Sequence, residues 1–189
     1  IESKTNQIDK FYNQKFDSKG NFEIIDPLKF EADNTTPKTY SDGDKVTYKL
    51  NNEIEVSVTI GETIPDTTKP KVAGVHPPLI VTDETLTRAL VIQINNNKDA
   101  QGLVTAYNGD YSVDAAGNKT TNDNADQYLR IESKFPGTEN QFEGRLSVEK
   151  NTTPPEDRVG EVLFRNENVS KNPQTDVTIT INEKEISLK

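Results

Sequence analysis

Three observations predict a mainly β chain, α+β in detail. Ile54-Glu55-Val56-Ser57-Val58-Thr59-Ile60 alternates apolar and polar residues without a break, the period of a strand with one dry face. Turn signals such as Asp42-Gly43-Asp44 and Phe135-Pro136-Gly137 recur at short intervals. Only one stretch carries helical spacing. The expected architecture is a tandem module of small antiparallel sheets with one amphipathic helix at about 83–95.

The elements follow in order. Residues 1–30 are the most aromatic stretch, with Asn21 to Ile24 reading as a strand after the Ser18-Lys19-Gly20 turn and Pro27 stopping it. Residues 31–42 read as loop. Val46 to Leu50 and Ile54 to Ile60 flank Asn51-Asn52 and form a hairpin. Pro65, Pro70, Pro77 and Pro78 hold the next stretch extended, along an edge. Thr82-Asp83-Glu84 offers a cap and first-turn acids. Leu86, Ala89, Leu90 and Ile94 then repeat at helical spacing until Asn95-Asn96-Asn97. Leu103 to Tyr107 is a strand, and Asn108 to Asp126 a polar loop. Tyr128 to Ser133, Phe142 to Val148, Val159 to Phe164 and Val177 to Leu188 complete the strands.

Short segments recur at one spacing. Ile1-Glu2-Ser3-Lys4 returns 130 positions later as Ile131-Glu132-Ser133-Lys134. Val46-Thr47-Tyr48-Lys49-Leu50-Asn51 is echoed 131 positions later by Val177-Thr178-Ile179-Thr180-Ile181-Asn182, and Glu55-Val56-Ser57 130 positions later by Glu185-Ile186-Ser187. One register that slips by one residue and then returns fits all three. The reading is one module at 41–150. The tail of a preceding copy occupies 1–40, and a linker and the head of a following copy occupy 151–189. Repeated modules point to an array before they point to an enzyme.

Composition narrows the function. The net charge of -9 disfavours nucleic acid and anionic membranes, both of which need clustered Lys and Arg. No apolar run is long enough to span a bilayer. Zero Cys excludes disulfides and thiolate metal sites and suits an exported protein. The chain begins at Ile and contains no Met, so an excised segment of a longer protein is expected.

The order from Gly43 to Val148 resembles the IN motif of bacterial flagellins and hook-associated proteins. The matching residues are the hairpin, Ile94-Asn95, the Val104-Thr105-Ala106 strand and Leu129-Arg130-Ile131-Glu132-Ser133. They cover about half the chain. Pro65 to Val81 and Asn108 to Asp126 are insertions relative to that pattern, and no coiled-coil heptads appear. The resemblance implies a surface-exposed outer domain of a flagellar axial protein (hook, hook–filament junction or filament). It also implies an extracellular location and contacts with identical or homologous subunits. The rival readings are an adhesin-like or surface-layer β-repeat binding module and a non-catalytic domain of a secreted hydrolase.

Candidate sites are weighed against plainer roles. His76 in Val75-His76-Pro77-Pro78 has no Gly-x-Ser-x-Gly elbow or Cys to act with, so a loop histidine is expected. Asp110, Asp114, Asp123 and Asp126 could supply oxygen ligands to calcium, but their spacing is not an EF-hand's, and a solvated loop is expected. Asn34, Asn118, Asn151 and Asn168 meet the N-glycosylation pattern in a chain rich in Asn and Thr. No catalytic residue, cofactor, metal site or small-molecule substrate is expected, and no enzyme activity.

Overall fold

The computed structural model describes residues 6–10, 13–16, 22–25, 28–29, 35–113, 119–122, 128–136, 142–152, 160–166, 177–181 and 184–188, with side chains for 28–29, 35–109, 128–134 and 142–152. The strands are β1 (Asn6–Lys10), β2 (Asn13–Phe16), β3 (Phe22–Ile25), β4 (Lys45–Leu50), β5 (Ile54–Thr59), β6 (Thr63–Pro65) and β7 (Pro78–Ile80). One helix follows, α1 (Leu86–Asn96), then a short 3-10 turn at Ala100–Gly102. The later strands are β8 (Val104–Asn108), β9 (Asp110–Val113), β10 (Lys119–Asn122), β11 (Leu129–Pro136), β12 (Gly144–Glu149), β13 (Gly160–Asn166), β14 (Val177–Ile181) and β15 (Lys184–Leu188). The fold is mainly β, with small antiparallel sheets and a single helix.

Two sheets and the helix enclose the core. One sheet runs β13-β12-β4-β5, the other β1-β11-β8. Helix α1 packs against β5, β8 and β11, so it bridges the two. The alternation in β4 and β5 decides which face is dry: Val46, Tyr48, Leu50, Val56 and Val58 are buried. Leu86, Ala89, Leu90 and Ile94 meet them from the helix, each at most 1% exposed. Each buried Leu or Ile contributes about 1.5–3 kcal/mol through its burial. The helix relies on this packing. At 11 residues it is too short to stand alone in water, and its first turn holds no acid and no side-chain cap bond.

The helix begins later than its sequence signals suggest. Asp83 and Glu84 lie in the turn before it, because Thr85 is engaged backwards. The Thr85 hydroxyl donates to the Ile80 carbonyl at 2.6 Å and accepts from the Thr82 N–H at 2.8 Å. The first helical bond runs from the Ala89 N–H to the Thr85 carbonyl. At the other end Asn97 competes for backbone as its residue type predicts. Its Oδ1 accepts from the N–H groups of Asp99 and Ala100.

Other departures share one cause: pairing that leaves little trace in apolar pattern. β1 and β2 carry few apolar residues, yet β1 pairs with β11, from Lys10 opposite Arg130 to Asn6 opposite Pro136. The 108–126 stretch, read as loop, contains the hairpin β9–β10, with Asp110 opposite Asn122. β11 runs through Pro136, where a turn was expected. The proline falls beyond the β8 ladder and next to an irregularity in the β1 register, a position proline tolerates. The stretch expected along an edge instead folds as β6–β7, a two-stranded sheet of its own.

The hairpins β4–β5 and β14–β15 share their cross-strand register. Thr47 faces Ser57 in the first and Thr178 faces Ser187 in the second. Lys49 faces Glu55, and Thr180 faces Glu185. Leu50 faces Ile54 across three residues, whereas Ile181 faces Lys184 across two. The return of the sequence repeat from an offset of 131 to 130 therefore falls between the two strands of the hairpin. In the longer turn Asn51 and Asn52 take φ of 52° and 58°, a region asparagine tolerates.

Candidate functional site

Three built features stand out: a clamp, a latch, and a hairpin with a knob at one end and a pocket at the other. The clamp is Asn95. Its Nδ2 donates to the Ala106 carbonyl at 2.9 Å, and its Oδ1 accepts from the Ala106 N–H at 2.8 Å. β8 is the edge of its sheet, so Asn95 satisfies both backbone groups of Ala106 where a further strand would. The Ile-Asn and Val-Thr-Ala segments singled out in the sequence are thus joined side chain to backbone.

The latch is Asp44, buried at 1% exposure. Its carboxylate accepts from the Ser41 N–H at 2.9 Å, the Asn151 N–H at 2.7 Å and Lys150 Nζ at 3.1 Å. Burial pushes the Asp44 pKa up. The Ser41 and Asn151 N–H groups and the Lys150 ammonium outweigh it, and the net shift is down. Lys150 also donates to the Thr39 carbonyl at 2.8 Å, and Asn151 Nδ2 to the Asp42 carbonyl at 3.0 Å. Residues 39–44, leading into β4, are thereby tied to those just after β12. Gly43 has φ +88°, and a Cβ there would sit 2.3 Å from Asn151 Nδ2, so the turn requires glycine.

The knob is the 66–77 loop between β6 and β7. Asp66 anchors it, buried at 1%. The carboxylate accepts from the Thr68 N–H at 3.2 Å and the Thr68 hydroxyl, and Arg88 of α1 stands 3.8 Å away. The Asp66 N–H donates to the Pro77 carbonyl, which extends the β6–β7 ladder. At the tip Val72 and Val75 bond N–H to carbonyl in both directions, at 2.8 and 3.1 Å. Ala73 and Gly74 between them take φ of 51° and 83°, the signs of a type I′ turn. Both valines face solvent, 71% and 68% exposed.

A cavity of about 600 Å³ opens at the other end of the same hairpin. Its walls include the buried Ile60 and Val81 and the exposed Ile80. Asp42, Asp83 and Glu84 give it an acidic rim. A lining that mixes three carboxylates with the exposed Ile80 suits a contact with a cationic, partly apolar partner.

No family model, curated protein or solved structure matches the chain.

The residues weighed in the sequence fall apart in space or outside the described set. His76 lies in the knob, half-buried, with Nδ1 against the Lys69 carbonyl at 2.9 Å. Asp110 is placed on β9 by its backbone, while Asp114, Asp123 and Asp126 lie outside the described residues. Among the described residues no group of acids and His is disposed to hold a metal ion. Asn151 is committed to the latch, and Asn34, Asn118 and Asn168 are outside the described residues. Sequence reasoning passed over Asp44, Asp66 and the two valines. The symmetric Val-Ala-Gly-Val, with glycine second in the turn, was the available signal for a hairpin tip.

Proposed function

We propose that the chain is a structural, non-catalytic part of a repeating extracellular assembly, and within that class an outer domain of a bacterial flagellar axial protein. The observation that carries this reading is the Asn95–Ala106 clamp. Ile94-Asn95 and Val104-Thr105-Ala106, on which the resemblance rests, form one joint between helix and edge strand. The matching registers of β4–β5 and β14–β15 add support for repeated modules. The partners in this reading are identical or homologous subunits, whose heterologous contacts build an open helical assembly when the rotation does not close.

A second reading, an adhesin-like or surface-layer β-repeat, draws on the exposed apolar knob, since such tips serve recognition. Immunogold electron microscopy with antibodies to this chain, on cells that produce it, separates the two. Label along flagellar filaments or at hooks is expected. Label over the envelope away from flagella would overturn the flagellar reading in favour of the surface repeat.

A further inference from the structure

We propose that the Val72–Val75 knob of one copy docks into the acidic pocket of another, so that copies of this chain associate head to tail. The inference rests on the repeating-assembly reading and names the surfaces involved. Among the described residues the exposed large apolar side chains are Val72, Val75, Ile80 and Leu103. Three of the four belong to the knob or the pocket. An apolar tip exposed to water is unfavourable unless something covers it.

Charge selects the occupant. The knob carries exposed Lys71 and exposed Lys69, the latter 3.9 Å from the buried Asp66 carboxylate, which Thr68 and Arg88 also engage. The pocket offers Asp42, Asp83 and Glu84 around Ile80, and no cation lines it. Cationic shoulders around two valines therefore complement carboxylates around an isoleucine. The chain as a whole bears -9, so two copies repel except where such a basic patch meets an acidic one.

A copy cannot serve itself. The ladder runs from Glu62 opposite Val81, at the pocket, through Ile64 opposite Leu79, to Asp66 opposite Pro77, at the base of the knob. Four residue steps at about 3.3 Å each separate those ends by roughly 13 Å, and the Val72–Val75 tip lies six residues beyond Asp66. One molecule thus presents the two halves of the contact at opposite ends of one hairpin. Such a contact is heterologous and propagates.

Sedimentation velocity on the 189-residue chain over a range of concentrations, at low and high salt, tests this. Concentration-dependent association that weakens with salt is expected. Lys71→Glu with Val72→Asp on the knob, or Ile80→Arg with Asp83→Lys at the pocket, should each weaken it at least tenfold. All four positions are exposed, and thermal melts verify that each variant folds. A variant that fails to fold gives way to Lys71→Glu or Asp83→Lys alone. Knob-altered and pocket-altered chains mixed together retain one good knob and one good pocket, so the mixture should associate more strongly than either variant alone. A wild-type chain that stays monomeric, or variants that associate as well as wild type, would overturn the proposal. Either result leaves the immunogold outcome standing, so failure here is distinct from failure of the flagellar reading.

Discussion

Asn95 holds both backbone groups of Ala106, at 2.9 and 2.8 Å, and shortening its side chain strands them. Asn95→Ala should cost about 1–3 kcal/mol, read as a lower urea midpoint with an unchanged slope. Asn95→Asp keeps the acceptor but leaves the Ala106 carbonyl unsatisfied, so it should fall between wild type and Asn95→Ala. Asp44 carries a different signature. Its folded pKa is depressed, so its contribution is complete above the ordinary carboxylate value and is lost as pH falls through the folded value. Chemical denaturation should show stability dropping below about pH 4. Asp44→Ala should cost about 2–4 kcal/mol at pH 7 and flatten part of that slope. If the slope is unchanged, other carboxylates dominate it. Neither role was legible in the sequence. Asn95 was visible as half of an Ile-Asn pair. That its partner would be the backbone of residue 106 depends on where the helix crosses β8. Asp44 was read only as part of a turn, because residues 150 and 151 meet it through the pairing of β4 with β12.

Strands with one wet and one dry face were legible, and strands without apolar alternation were not. In β4 and β5 the period-two alternation gave the ends within a residue or two, since burial imposes the pattern. In β1, Asn6-Gln7-Ile8-Asp9-Lys10 carries one apolar residue, and its place beside β11 comes from ladder bonds that any residue except proline can make. The helix was legible along its apolar face and misread at its start, where Thr85 bonds to Ile80 rather than capping. The 66–77 knob looked like an extended, proline-held stretch because periodicity does not register a buried carboxylate organising a loop. Replacing residues 67–76 by Asn-Gly should leave a tight β6–β7 hairpin, since the Asp66–Pro77 pair remains to close it. The melting temperature should move by only a few degrees, as the core side chains lie elsewhere. A collapse of the melt would mean that the Asp66–Arg88 contact, disturbed by the cut, stabilises the whole fold.

Across the molecule, the two ends of the chain relate differently to the core. β1 lends its backbone to β11, whereas β14 and β15 hydrogen-bond only to each other among the described residues. Removing residues 1–12 should therefore uncover an edge of β11 and lower the melting temperature. Removing 167–189 should leave it nearly unchanged. Equal losses from both truncations would show that the β14–β15 hairpin also supports the core.

The latch carries a consequence for tension. β4 begins and β12 ends at the same end of their shared sheet, with Lys45 opposite Glu149. A pull entering near residue 39 and leaving near residue 152 would load that ladder one rung at a time, as a zipper opens, rather than all rungs at once in shear. Asp44, Lys150 and Asn151 sit at the first rung. In any assembly that is bent or dragged through fluid, these three residues would meet the force before the hydrophobic core does, so one carboxylate would set how hard the module can be pulled before it opens.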